Sequence, residues 1–238
     1  VTNAPPNEID TPQGSVEGPP AVAASRPHER PTETCWRSRR AWTLLLFITI
    51  GALVSDLGSK WLAFEKLGPA PVRLQREDVL QTDQLWTLIP DPPRRVVIPH
   101  VLDLTLVLNP GAVFGIGAGK RVFFVAFTLG AVLFSIWMFG AWTTPRDRIA
   151  HIAIGLILGG GLGNLYDRLV YACVRDFLHP LPNATLPFGW QWPWGGREVW
   201  PYVSNIADLW LLIGIGALLV ILLKAPPPHG PRAAQPVK

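Results

Sequence analysis

Charged side chains are scarce in this chain. They make up 16% of the 238 residues, against 49% hydrophobic, and the mean hydropathy is +0.26. An average soluble domain carries about 25% charged residues, so the shortage favours a small membrane protein over an ordinary globular domain. Cysteine is scarcer still. Cys35 and Cys173 have no metal-ligand spacing and no surrounding His cluster, which argues against a metal site and leaves both as free thiols. Tyrosine is rare too, with 3 residues against 11 Trp and 10 Phe, a balance suited to long apolar helices with interfacial indole anchors. No basic run is interleaved with aromatics and the formal charge is only +4, so no nucleic-acid surface is expected. An activated-serine motif, an HExxH helix and a glycine-rich phosphate loop are also missing. Neither a metal nor a cofactor is expected.

What is present is four apolar tracts, at about 41–64, 122–142, 149–166 and 205–223. About twenty residues of helix cross the hydrocarbon core. The expected fold class is therefore an all-α membrane protein with four transmembrane helices and both termini cytoplasmic, plus a small β-rich outer element. Arg37, Arg39 and Arg40 before the first span, Arg146 and Arg148 in the second-to-third turn, and Lys224 and Arg232 after the fourth set that orientation. Cys35 and Cys173 then fall on opposite sides, so a disulfide between them is not expected. Residues 1–35 and 225–238, rich in Pro and without apolar periodicity, read as disordered cytoplasmic tails around a membrane domain over 36–224. The first tail has no apolar core behind a basic start and is not read as a signal peptide.

Two connections face outward. In the long one, 67–120, Leu102, Leu104, Leu106 and Leu108 alternate with Asp103, Thr105 and Val107, which is strand periodicity. The stretches 72–74 and 85–89 are weaker strand candidates. The other, 178–204, carries Trp190, Trp192, Trp194 and Trp200, and both interfacial anchoring and gating of a site are open for it. In the third span Gly155, Gly159 and Gly163 recur at every fourth residue, a smooth face that lets helix backbones approach closely in lipid.

Carboxylates at the edge of apolar spans are costly and usually face a cavity or one another. Asp56, Asp167, Asp176 and Asp208 all lie toward the expected outer face. Asp176 follows the third span and Asp208 opens the fourth, so antiparallel helices can bring the two together. Two close carboxylates cannot both ionise easily, and such a pair can activate water and protonate a leaving amide nitrogen. Asn164 and Arg168, four residues apart, share a helix face. They could bind substrate carbonyls or order the acids, or Arg168 could simply pair with Asp167. Asp56 and Lys60, also four apart, read as a structural ion pair, and His151 as a packing residue near the cytoplasmic end.

Five motifs in order carry a family resemblance. Asp56-Leu57-Gly58-Ser59-Lys60 ends the first span. Asn109-Pro110-Gly111-Ala112-Val113-Phe114 closes the long connection. Gly160-Gly161-Leu162-Gly163-Asn164-Leu165-Tyr166-Asp167-Arg168 ends the third span. Val174-Arg175-Asp176-Phe177 and Asn205-Ile206-Ala207-Asp208 follow. Over about 41–224 the chain resembles the lipoprotein signal peptidases. The resemblance implies a membrane aspartyl endopeptidase of the bacterial inner membrane with Asp176 and Asp208 as catalytic pair. It also implies that Asn109, Gly111, Ala112, Asn164, Arg168 and Asn205 line or support the site, with Asp56, Lys60 and Asp167 structural. The implied substrate is a diacylglyceryl-modified prolipoprotein, cut just before the lipidated cysteine at the outer leaflet. Membrane lipid is the other expected partner, and a monomer the expected state. Leu57 stands where the family usually has Gln, Ser204 where it has Phe, and the Trp-rich connection is longer than usual. A small proton-coupled transporter is the rival from another class, but it predicts acids at mid-bilayer and an internal repeat. A membrane scaffold would give no reason for the Asn and Asp motifs.

Overall fold

The apolar tracts become helices, and the first and third spanning helices outrun their tracts at both ends, because Arg, Lys and Asp at the boundaries can continue a helix while charges reach toward water. The computed structural model describes residues 34–82, 84–89, 91–111, 121–193 and 195–224. The spans are α1 (Arg39–Lys66), α3 (Arg121–Trp142), α4 (Arg148–Val170) and α5 (Ile206–Lys224), with a short α2 (Arg76–Gln81) between the first two. The predicted tails fall almost wholly outside the described residues. Cys35 is described, however, and opens a one-turn 3-10 helix that buries it against Ala41, Leu45, Phe139 and Ile154.

α4 is the axis of the bundle, and α1, α3 and α5 all pack on it. Of its most apolar stretch 56% is buried in protein, against 11% for the more hydrophobic α5. Hydropathy and burial run opposite ways because lipid, not protein, covers the outside of the bundle. The glycine face on α4 receives α1: a Cβ on Gly155 would strike Ile48, on Gly159 Ala52, and on Gly163 the Asp56 carboxylate. On another side, a Cβ on Gly160 would lie 2.6 Å from the Ala207 carbonyl oxygen of α5. Close backbone approach of this kind holds helices together where the hydrophobic effect cannot.

At one end of the bundle lies a three-stranded antiparallel sheet in the order β1 (Arg94–Ile98), β2 (Leu102–Asn109), β3 (Val174–Pro180). The strand read from leucine alternation is β2. Its register shifts between Leu104 and Val107, so the buried face changes from Asp103 to Leu106 and Leu108. These leucines join Phe64, Val79, Ile89, Cys173 and Phe177 in a core that seats the sheet on the end of α1. Two strand candidates are corrected. Residues 72–74 are irregular, and the Val72 amide donates to the Phe64 carbonyl at 2.8 Å, folding the chain back over α1. Leu85–Leu88 is a 3-10 turn. The third strand comes instead from beyond α4, so both connections at this end build the sheet.

Candidate active site

α5 begins with a reciprocal cap. The Asp208 amide donates to Asn205 Oδ1 and the Asn205 amide donates to Asp208 Oδ2, both at 3.1 Å. This is a capping box with Asp in place of the usual Glu. It pins the Asp208 carboxylate at the helix N-terminus, where the helix dipole favours negative charge. The Ala207 amide donates to Asp56 Oδ1 at 2.9 Å, so α1 satisfies another amide of the same turn.

β3 supplies Asp176. Val107 is its cross-strand partner and Asn109 is opposite Val174, so Asn109 and Asp176 are diagonal neighbours on one face of the sheet. Asn109 Nδ2 donates to Asp176 Oδ2 at 3.0 Å, while its Oδ1 accepts from the Gly111 amide at 2.8 Å. Gly111 has φ +98°, and a Cβ there would lie 2.7 Å from the Phe124 ring. Only glycine fits both demands.

Two asparagines join the acids. Asn205 Nδ2 donates to Asp176 Oδ1 at 2.6 Å and to Asn164 Oδ1 at 3.2 Å. Asn164 Nδ2 donates to Asp208 Oδ1 at 2.9 Å, and its Oδ1 also accepts from Lys60 Nζ at 2.9 Å. Each amide is oriented by its neighbours: oxygen faces donors and nitrogen faces carboxylate. Beneath them, Lys60 Nζ lies 2.8 Å from Asp56 Oδ2 and 3.4 Å from Asp167 Oδ2. Arg175 grips Asp167 through Nη2 at 2.8 Å and Nε at 3.2 Å, and stacks over Tyr171 with its Cζ 4.4 Å from the ring centroid. Two acids and two bases thus form a neutral buried quartet, the arrangement that makes buried charge tolerable.

Arg168 does not pair with Asp167, whose oxygens are taken by Arg175 and Lys60. It donates to the Asn164 carbonyl at 3.1 Å and lies over Phe124, and its buried Nε has no partner among the described residues. A cleft of about 560 Å³ opens here, lined by Asn109, Asn164, Arg168, Asp176 and Asp208 together with the aromatic connection and α5. Ala112, with Val113 and Phe114, lies outside the described residues. Arg175 carries no signal in the sequence, where it occupies the variable position of its motif.

Burial, then the charge of Asp208, raises the Asp176 pKa to about 7, against the opposing hydrogen bonds from Asn205 and Asn109. Burial also pushes the Cys173 thiol up to about 12, so it is not a thiolate nucleophile at neutral pH.

Fold and cleft together define a multi-pass membrane protein with a buried polar site at one end of its bundle. Residues 48–224 match the family model described as signal peptidase (SPase) II. The chain belongs to the signal peptidase II family and is a membrane protease. It is 34% identical over 180 residues to the lipoprotein signal peptidase of Polynucleobacter necessarius subsp. necessarius (strain STIR1), covering 74% of this chain and 85% of that one. With the lipoprotein signal peptidase of Desulfitobacterium hafniense (strain DSM 10664 / DCB-2) it shares 34% identity over 128 residues, 53% of this chain and 72% of the relative. A solved structure described as "Bacterial membrane enzyme structure by the in meso method at 2.3 A resolution" has the same fold, with TM-score 0.54 at 24% identity over 82% of this chain and 95% of that chain.

Proposed function

We propose that this protease removes signal peptides from diacylglyceryl-modified prolipoproteins, cutting just before the lipidated cysteine with Asp176 and Asp208 as its catalytic pair. The observation that carries the reading is the Asn205 bridge, which ties both carboxylates into one hydrogen-bonded unit. Asp208, surrounded by N–H donors at a helix N-terminus, serves as base and takes a proton from the attacking water. Asp176, with its raised pKa, holds the proton that passes to the leaving amide nitrogen. Asn109, Asn164 and Asn205 orient the two acids, Gly111 holds Asn109, and Arg168 faces the cleft as a donor for substrate carbonyls. The quartet of Asp56, Lys60, Asp167 and Arg175 is structural.

The arginines at the opposite end of the bundle support cytoplasmic termini, which turns the acid end toward the periplasmic face of the inner membrane. There the lipid stays in the bilayer while water reaches the acids. The test is reconstitution in lipid with a diacylglyceryl-modified prolipoprotein, following loss of the signal peptide by gel shift. Cleavage by the wild type, abolished in folded Asp176→Asn and Asp208→Asn variants, is the expected result. Persistent cleavage in either variant removes that residue from the pair.

A further inference from the structure

The connection between β3 and α5 carries none of the family motifs, and it is not a slack loop. The Leu186 amide donates to the Arg197 carbonyl and the Val199 amide to the Ala184 carbonyl, both at 2.7 Å, with Thr185 and Glu198 bridged across. Nearer the tip, the Trp192 amide donates to the Gly196 carbonyl at 3.0 Å, and its indole Nε1 donates to the Glu198 carbonyl at 2.8 Å. The result is an irregular hairpin that fixes Trp192 by backbone and side chain alike.

Its aromatic residues fall into two sets. Phe188 and Trp190 are 92% and 67% exposed, with ring centroids 6.2 Å apart. Neither lines the cleft. Trp192 and Trp200 do, beside Val199, Pro201 and Tyr202, in the same cleft as Asp176 and Asp208. The same cleft continues along α5 past Leu211 and Leu212 to Ile215, roughly 10 Å along the helix from Asp208 at 1.5 Å per residue. An apolar floor on a spanning helix, an aromatic wall on the hairpin and the two acids thus line one cleft.

We infer that Trp192 and Trp200 are specificity residues that bind the first residues of the substrate after the lipidated cysteine. The inference rests on the prolipoprotein reading. A substrate held in the bilayer by its signal helix and acyl chains can follow the α5 floor, and its mature segment must then leave past the acids along the hairpin. Indole faces suit that segment, since they give a large contact area at small entropic cost and accept many side chains. The two sets divide the roles left open by the sequence: Phe188 and Trp190 meet the membrane interface, and Trp192 and Trp200 meet the substrate.

The experiment uses the full chain in lipid with two diacylglyceryl peptides, one ending two residues after the cysteine and one ending ten residues after it. The wild type is expected to cleave the longer peptide with about tenfold higher kcat/KM, the size of effect that one or two aromatic contacts supply. Trp192→Ala and Trp200→Ala lose that preference through KM, so that their kcat/KM values for the two peptides converge. Trp192→Phe and Trp200→Phe, which keep a flat ring, retain most of it, and Phe188→Ala with Trp190→Ala leaves it intact. A wild type indifferent to length, or alanine variants slowed by the same factor on both peptides, would overturn the inference while leaving the peptidase reading in place. A folded wild type that cleaves neither peptide would overturn both.

Discussion

The two ends of the bundle each bury a polar cluster, and they are built to different standards. At the acid end, Asn205, Asn164 and Lys60 each serve two or more partners, and both oxygens of Asp176 and of Asp208 accept hydrogen bonds. At the other end, Cys35 Sγ lies 3.3 Å from His151 Nε2 and 3.2 Å from Thr143 Oγ1, and Thr143 Oγ1 lies 3.1 Å from the same Nε2. Phe139 packs edge-on against the same imidazole. The first cluster is a network that loses its geometry if one member goes. The second is a packed plug whose weak thiol hydrogen bonds add little to the fit. In a bilayer, where every unpaired charge is costly, the two carboxylates of the cleft have an amide donor on every oxygen, and the one buried side-chain atom at that end without a partner among the described residues is Arg168 Nε.

Replacing either acid breaks the comparison hardest. Asp208→Asn and Asp176→Asn are each expected to lower turnover at least about a thousandfold while the protein stays folded, since general acid–base groups contribute on that scale; single-turnover cleavage in lipid measures it. Next comes Lys60→Met, which leaves Asp56 and Asp167 without their shared cation. Removing one partner from a buried ionic cluster costs about 3–5 kcal/mol, visible as a fall in the melting temperature. The pH dependence of stability sharpens the contrast further. With the folded pKa of Asp176 near 7 and its unfolded value in the ordinary carboxylate range, the folded state binds the extra proton between the two. That contribution is complete below the unfolded value and is lost as pH rises toward and through about 7. Melts from pH 5 to 8 should therefore show a downward slope that is flatter in Asp176→Asn. Smallest of all, Cys35→Ala should shift stability by about 1 kcal/mol or less and leave turnover unchanged, as paired melting and cleavage assays would show.

The spans could be read from the chain because lipid requires long apolar runs, and α5, the most hydrophobic, is also the least covered by protein. The positions of Asp208 and Asn205 could be read too, from a four-residue motif at a helix start. β3 could not. Val174-Arg175-Asp176-Phe177 is short, mixes charge with apolar residues, and pairs with a strand some seventy residues earlier in the chain, so no local periodicity announces it. The sequence of the 3-10 turn at Leu85–Leu88 suits a strand as well, because a short apolar run fits either structure. Arg175 gives no signal in the sequence for a related reason: its role depends on Asp167 and Tyr171, which the fold, and not the spacing, brings to it. The register shift in β2 was equally silent, since alternation in the sequence continues straight through it.

The ion pair within α1 has a consequence for how the protein is made. Asp56 and Lys60 stand one turn apart on a single helix, whereas Asn164, Asp167 and Ala207, their other partners, are synthesised more than a hundred residues later. During biogenesis the first span can therefore enter the bilayer with its charges already neutralised in cis, before any partner helix exists. Later helices inherit a pre-paired anchor, and the acid end is assembled around it as the chain emerges.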